Sequence, residues 1–156
     1  IAGTVKESIV DGPGLRYVIF TQGCLHNCKG CHNPHTHDIN GGQIVNIADL
    51  ITEITENPLL DGITISGGEP FLQLESIYSI ITAPELANHT KVIYTGFTLE
   101  QLEELAITKP IISKILSNTD TLIDGRFIEE QKDLTLKFRG SKNQRILYPK
   151  LKMSRI

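Results

Sequence analysis

The chain's only cysteines, Cys24, Cys28 and Cys31, fall within eight residues of one another in the stretch GCLHNCKGC. A C-x3-C-x2-C spacing lets one loop turn all three thiols toward a single inorganic centre. A closed tetrahedral zinc site or a fully ligated iron–sulfur cubane takes four protein ligands, so three leave one position open for a substrate. His26, His32, His35 and His37 lie beside the thiols and make a Cys3His zinc site one reading. Cys28-Lys-Gly-Cys31-His32 also matches the C-x-x-C-H pattern of covalent haem attachment, although that leaves Cys24 idle and suits an exported protein. The third reading is an iron–sulfur cluster with three thiolates and one open iron. Spacing alone leaves zinc and cluster both standing.

Other polar clusters bear on the choice. Ser66-Gly67-Gly68-Glu69-Pro70 offers exposed backbone, room for a close approach and a carboxylate, a combination that can accept hydrogen bonds from a ligand's ammonium group. It also reads as a plain strand-to-helix turn with Pro70 at the first helical position. Asp11-Gly12-Pro13-Gly14 has the residues of a turn. Thr95-Gly96, Asp124-Gly125-Arg126 and Arg139-Gly140-Ser141 complete the set.

The elements that must position these clusters alternate between strand and helix. Arg16–Thr21, Ile63–Ile65, Val92–Tyr94 and Thr121–Ile123 are rich in β-branched residues and predict strands. Leu134–Phe138 and Arg145–Tyr148 are weaker strand candidates. Between them, Asn46 precedes a helix with Ile47, Leu50, Ile51 and Ile54 on one face. A second helix follows Pro70, with Leu74, Ile77, Tyr78 and Ile81 on one face. Thr98 and Gln101 form a capping box for a third, and a short apolar stretch covers Ile111–Leu116. This alternation predicts a single α/β domain over residues 1–156, built as a partial parallel β/α barrel of five to six strands with flanking helices. A complete eight-stranded barrel takes about 250 residues, more than this chain has. Every polar cluster but the Asp11 turn then falls just past the C-terminal end of a strand, the edge where parallel α/β folds gather their ligand loops.

Bulk properties narrow the function classes. At 156 residues and a net charge of −3 the chain lacks the basic footprint of a nucleic-acid binder. No apolar run approaches the ~20 residues of a membrane span. The amino terminus carries no apolar secretory segment, which leads us to expect a cytoplasmic protein whose three cysteines bind metal rather than form disulfides.

Taken together, C-x3-C-x2-C after the first expected strand and Gly-Gly-Glu-Pro after the second resemble the radical S-adenosylmethionine superfamily. The segments DGPGLR and CHNPHTHD narrow the resemblance to the glycyl-radical-enzyme activases. The segment IDGRFIEEQKD…FRGSKNQRI and the short length look like the branch that serves anaerobic ribonucleoside-triphosphate reductase. The resemblance implies one 4Fe–4S cluster on Cys24, Cys28 and Cys31, with S-adenosylmethionine at the remaining iron. It implies that Gly67, Gly68 and Glu69 line the methionine end of that cofactor. Thr95 and Asp124 are then expected near its ribose or a cation, and Arg139, Asn143, Gln144 or Arg145 near its carboxylate or the partner. Asp11 is expected to face the partner's glycine segment. The activity implied is reductive cleavage of S-adenosylmethionine to methionine and a 5′-deoxyadenosyl radical, which abstracts hydrogen from a backbone glycine. The implied partners are the large glycyl radical subunit of the reductase and a low-potential one-electron donor. Within the same superfamily, a pyruvate formate-lyase activase or a small-molecule enzyme of deazaguanine synthesis is the alternative. Outside it stands a non-catalytic Cys3His zinc module. Position 30, just before the third cysteine, is glycine where many superfamily members carry an aromatic residue beside the adenine.

Overall fold

The computed structural model describes residues 1–153, so the last three residues of the expected 1–156 domain lie outside the described residues. Six strands, β1 (Gly3–Ser8), β2 (Arg16–Thr21), β3 (Gly62–Gly67), β4 (Thr90–Tyr94), β5 (Thr121–Asp124) and β6 (Arg145–Leu147), form one mixed sheet in sequential order. β2 to β5 are parallel, and β1 and β6 pair antiparallel at the two edges. The sheet does not close, because β1 and β6 have no pairing with each other.

Helices fill the crossovers: α1 (Ile47–Thr55) before β3, α2 (Leu74–Ile81) before β4, and α3 (Leu99–Leu105) with α4 (Ile111–Ser117) before β5. A last helix, α5 (Pro149–Met153), follows β6. Because the parallel strands follow one another in order and such crossovers are right-handed, the helices return on the same face. That face carries Tyr17, Ile19, Ile63, Ile65, Ile93 and Leu122, packed with Leu50, Ile54, Ile77, Ile80, Leu102, Ile112 and Ile115 in one core. The helix starts follow local chemistry. The Asn46 side chain accepts the Ala48 N–H at 2.8 Å, and Thr98 with Gln101 closes the expected capping box.

The alternate residues of the same strands, Arg16, Val18, Thr64 and Val92, point the other way and are just as buried. Among the described residues, Val18 and Val92 stand outside the core that the helices pack against. The loop between β1 and β2 folds over this second face instead, so closely that a Cβ at Gly12 would stand 2.9 Å from Arg16 Cδ and 3.2 Å from Val92 Cγ2.

Three features depart from the sequence expectation. The sheet is mixed and open where a parallel partial barrel was expected, because the edge strands β1 and β6 join it through returning loops and run antiparallel. β1 was not anticipated, since Gly3–Ser8 is half polar and gains its strand from pairing with β2 through a short connection. Leu134–Phe138 alternates like a strand but is a turn. The Asp133 carboxylate accepts the Thr135 N–H at 2.9 Å and its hydroxyl at 2.5 Å, a local bond that competes with a ladder. Phe138 then takes φ +61°, which ends any extended run. Residues 125–144 therefore form one long connection beyond β5, and Arg139 lies within it rather than after a strand of its own.

Candidate metal centre and cofactor cleft

The cysteine loop leaves the C-terminal end of β2 and returns beside itself. Gly23 N–H donates to Thr36 O at 2.7 Å and Cys24 N–H to His37 O at 3.2 Å, which pins the two ends of the loop together. Inside, Cys31 N–H bonds Cys28 O at 3.2 Å, and Asn33 N–H reaches the Cys31 sulfur at 3.4 Å. All three thiols are free and half-buried, and all three line one cleft of about 480 Å³. Burial pushes the Cys24 and Cys28 thiols up, against backbone N–H groups of His26 and Phe127 that pull them down.

The Gly67-Gly68 pair is explained by contact with this loop. Gly67 has φ +96°, and a Cβ there would stand 2.5 Å from Thr21 N; at Gly68 it would stand 2.3 Å from Gly23 O. Backbone meets backbone here, with Gly68 N–H on Thr21 O at 2.9 Å and Glu69 N–H on Gly23 O at 2.8 Å. Only glycine permits that approach. Both glycines line the cleft.

Glu69 is placed differently from the expectation that it lines the cofactor's methionine end. Its carboxylate is 1% exposed and is not among the residues lining the cleft. Oε1 accepts from Phe71 N–H at 3.0 Å and the Thr95 hydroxyl at 2.8 Å. Oε2 accepts from Gly96 N–H at 2.8 Å and meets His26 Nε2 at 2.7 Å. Each oxygen thus serves two protein groups, and the side chain ties the loops after β2, β3 and β4 to one point.

Thr95 lines the cleft, yet its hydroxyl is spent on Glu69 and on the Phe97 N–H at 3.1 Å. Asp124 is wholly buried and does not line the cleft. Its oxygens take Leu99 N–H at 2.8 Å and Arg145, at 3.1 Å to Nε and 2.5 Å to Nη2. Arg145 in turn reaches Glu100, so neither it nor Asp124 faces the cavity. Asn143 bonds Arg126 O and the Ser141 hydroxyl, and Gln144 bonds Gly125 O and the Gly140 and Ser141 N–H groups, all within the 125–144 connection. Gln144 lines the cleft, and so does Arg139. Among the described residues the only side-chain bonds of Arg139 are long ones to the carbonyls of Lys137 (3.4 Å) and Gln144 (3.5 Å), and it has no carboxylate partner. Asp11 lines the opposite part, with the Ser8 hydroxyl on its Oδ2 at 2.5 Å.

His26, His32 and His37 line the same cleft, and the first two are engaged by other side chains. His26 stands edge-on to Phe97 at 4.7 Å as well as on Glu69, and His32 lies against Phe127 at 5.1 Å. Among the described residues no three His, Cys, Asp or Glu side chains gather as they would around one ion. Thiolates of a multi-iron cluster each take a different iron and stand farther apart than ligands of a single zinc.

Sequence reasoning missed Tyr94 and Phe127. The Tyr94 ring lines the cleft, and burial with the nearby Asp11 carboxylate raises its phenol above the usual range. Phe127 passes so near Gly30 that a Cβ there would lie 3.3 Å from its ring, which places an aromatic from a distant loop beside the position where the resemblance lacks one. Its signal in the sequence was only a lone aromatic after Asp-Gly-Arg.

The Arg145 fork gives a pH prediction. Hydrogen bonding to Arg145 holds the Glu100 carboxyl down at about 2 instead of 4.5. A depressed folded value means that this stabilisation is present above the ordinary carboxylate range and is lost as pH falls toward 2. Carbon-13 titration of Glu100 should show it ionised down to about pH 2 in the wild type. Its midpoint should rise toward 4.5 in Arg145→Met. A titration unchanged by Arg145→Met would refute the pairing.

Comparison with known proteins agrees with this geometry. The 4Fe-4S single cluster domain family matches residues 10–147. An anaerobic ribonucleoside-triphosphate reductase-activating protein of Vibrio cholerae is 34% identical over 148 residues, covering 87% of this chain and 89% of that protein. The protein of that name from Escherichia coli K12 is 31% identical over 145 residues, covering 87% and 90%. The pyruvate formate-lyase 1-activating enzyme of Escherichia coli K12 is 36% identical over 120 residues, covering 73% of this chain but 46% of that enzyme.

Proposed function

Because the chain belongs to the 4Fe-4S single cluster domain family, in the glycyl-radical-activase branch of the radical S-adenosylmethionine superfamily, we propose that it activates an anaerobic ribonucleoside-triphosphate reductase. The observation that carries the reading is that the chain's only three thiols share one cleft with the Gly67-Gly68 backbone edge. When bound and reduced, the cluster supplies one electron that cleaves S-adenosylmethionine to methionine and a 5′-deoxyadenosyl radical, which takes a hydrogen atom from a backbone glycine of the reductase. A low-potential donor must provide that electron.

The residues have distinct tasks. Cys24, Cys28 and Cys31 hold the cluster, and their half-buried loop excludes water from it. Gly67 and Gly68 leave backbone bare for the amino end of the cofactor. The unpaired guanidinium of Arg139 suits its carboxylate. Glu69 and Thr95 contribute by holding the loops in place, and Asp11 meets the glycine segment of the partner. The open six-stranded sheet is the wall of a partial barrel, with these loops along its C-terminal rim. Among the described residues no helix is long and apolar enough to cross a membrane.

A pyruvate formate-lyase activase is the second reading, supported by the 36% identity over 120 residues. The reductase is favoured because its activating proteins match 87% of this chain, against 73% for the lyase activase. Anaerobic reconstitution with iron and sulfide should give a brown protein; a zinc module would stay colourless. Adding S-adenosylmethionine, a strong reductant and either partner should then yield 5′-deoxyadenosine, with a glycyl radical signal on the reductase. A signal on the lyase alone would favour the second reading, and no 5′-deoxyadenosine at all would remove the enzyme assignment.

A further inference from the structure

Arg16 opens β2, and its side chain is fully buried on the sheet face opposite the helix-packed core. No carboxylate pairs with it directly among the described residues. All five of its N–H donors are nevertheless used. Nε donates to Thr64 Oγ1 at 2.7 Å, Nη1 to Pro13 O at 2.8 Å and Thr90 Oγ1 at 2.9 Å, and Nη2 to Ile63 O at 2.7 Å and Thr90 O at 2.8 Å. The planar fork therefore joins three segments: the loop between β1 and β2, β3, and β4. Thr64 extends the link by donating its hydroxyl to Asp11 O at 2.7 Å. A second tether holds the far end of the loop, where Leu15 N–H bonds Asp61 Oδ2 at 2.7 Å and Leu15 O accepts Asp61 N–H at 2.8 Å.

An apolar side chain could fill the space under the loop, but it could not fix the height of the loop. A fully bonded guanidinium does so, because every donor has one direction and one acceptor. The loop so held supplies Val10 and Asp11 to the cleft that the three thiols line. Ile9 and Val10 are 75% and 71% exposed at its tip, an apolar surface next to that cleft.

We propose that Arg16 is a positioning residue for hydrogen transfer: by clamping the loop at Pro13 and Asp11 it sets where the partner's glycine segment comes to rest relative to the thiols. The proposal rests on the activase reading above. It separates two events that share one site. Cleavage of S-adenosylmethionine depends on the cysteine loop and the Gly67-Gly68 edge, which Arg16 does not touch. Transfer to glycine depends on the loop that Arg16 holds.

The test compares Arg16→Lys and Asp61→Ala with the wild type. Lysine keeps the charge but has three donors and no fork, so the clamp on Pro13 or Thr90 is lost. Asp61→Ala releases the loop from its exposed end and leaves all five Arg16 hydrogen bonds in place. Each protein is reconstituted, its iron content checked, and 5′-deoxyadenosine and glycyl radical measured together on the reductase. We expect Arg16→Lys to cleave S-adenosylmethionine within about threefold of wild type. Glycyl radical formed per molecule cleaved should fall about tenfold or more, since a displacement near 1 Å can cost up to about a hundredfold. The KM for a peptide spanning the partner's glycine should rise, and Asp61→Ala should show the same uncoupling to a smaller degree. If Arg16→Lys loses its cluster, Asp61→Ala decides alone. An unchanged ratio of radical to cleavage, or an equal fall in both, overturns the proposal. A wild type that cleaves S-adenosylmethionine but radicalises no glycine overturns the activase reading and this inference with it.

Discussion

Cys31→Ala, reconstituted anaerobically with iron and sulfide, should bind less iron per chain, lack the brown colour, and lose more than about a hundredfold of S-adenosylmethionine cleavage. Removing even the outer partners of metal ligands costs about 10–100-fold, so removing a ligand costs more. The reason for expecting no rescue lies in the supply of substitutes. The chain has no fourth cysteine, and two of the four nearby histidines have other contacts: His26 on Glu69 and Phe97, His32 against Phe127. Cys24→Ala and Cys28→Ala should behave alike, because the three thiols come from one pinned loop and face one cleft. Iron content, visible absorption and 5′-deoxyadenosine yield measure the outcome. Full activity in Cys31→Ala would overturn the ligand set.

The second large effect concerns Glu69. Glu69→Ala strands the Phe71 and Gly96 N–H groups, the Thr95 hydroxyl and His26 Nε2 around a carboxylate that is itself only 1% exposed. A buried donor left without an acceptor costs about 1–3 kcal/mol. Such losses are not additive within one network, so a total of about 4 kcal/mol is expected, a large share of the roughly 5–15 kcal/mol that a domain has. Glu69→Gln keeps the shape but turns an NH2 toward one of the backbone N–H groups, and about 2 kcal/mol is expected. Denaturant unfolding reads both through the midpoint at constant slope. S-adenosylmethionine affinity should fall with stability, since the loops after β2, β3 and β4 drift apart together. If Glu69→Gln left stability unchanged while affinity collapsed, the carboxylate would be a direct ligand of the cofactor's ammonium and not the centre of a loop clamp.

How much could be read beforehand depends on the range of the interaction. The thiol loop was legible because its chemistry lies within eight residues and its cysteines have no competing use. Thr98 with Gln101 and Asn46 with Ala48 were legible for the same reason, as caps three and two residues apart. The Gly67-Gly68 pair was noticed but not explained, because the backbone that makes glycine necessary belongs to Thr21 and Gly23, over forty residues away. Leu134–Phe138 misled because alternation is a necessary sign of a strand, while an Asp133 side-chain turn and a missing partner strand decide against it.

Asp124 and Glu69 show the same limit at the site. Each is an acid at or just beyond a strand end, and each resembles a ligand when only its neighbours in sequence are known. Asp124 is claimed by Arg145, and Glu69 by His26, Thr95 and Gly96. By itself, then, the sequence determined the three-thiol loop, the strand–helix alternation and the rim where the loops collect, since those follow from local spacing and periodicity. Only the tertiary structure decided which carboxylates face the cleft and which are consumed inside the protein. It also decided that Arg16 clamps the Asp11 loop and that Phe127 stands beside Gly30. A side chain's role in such places is set by which distant donors and acceptors reach it first, and that competition exists only once the sheet has brought them together.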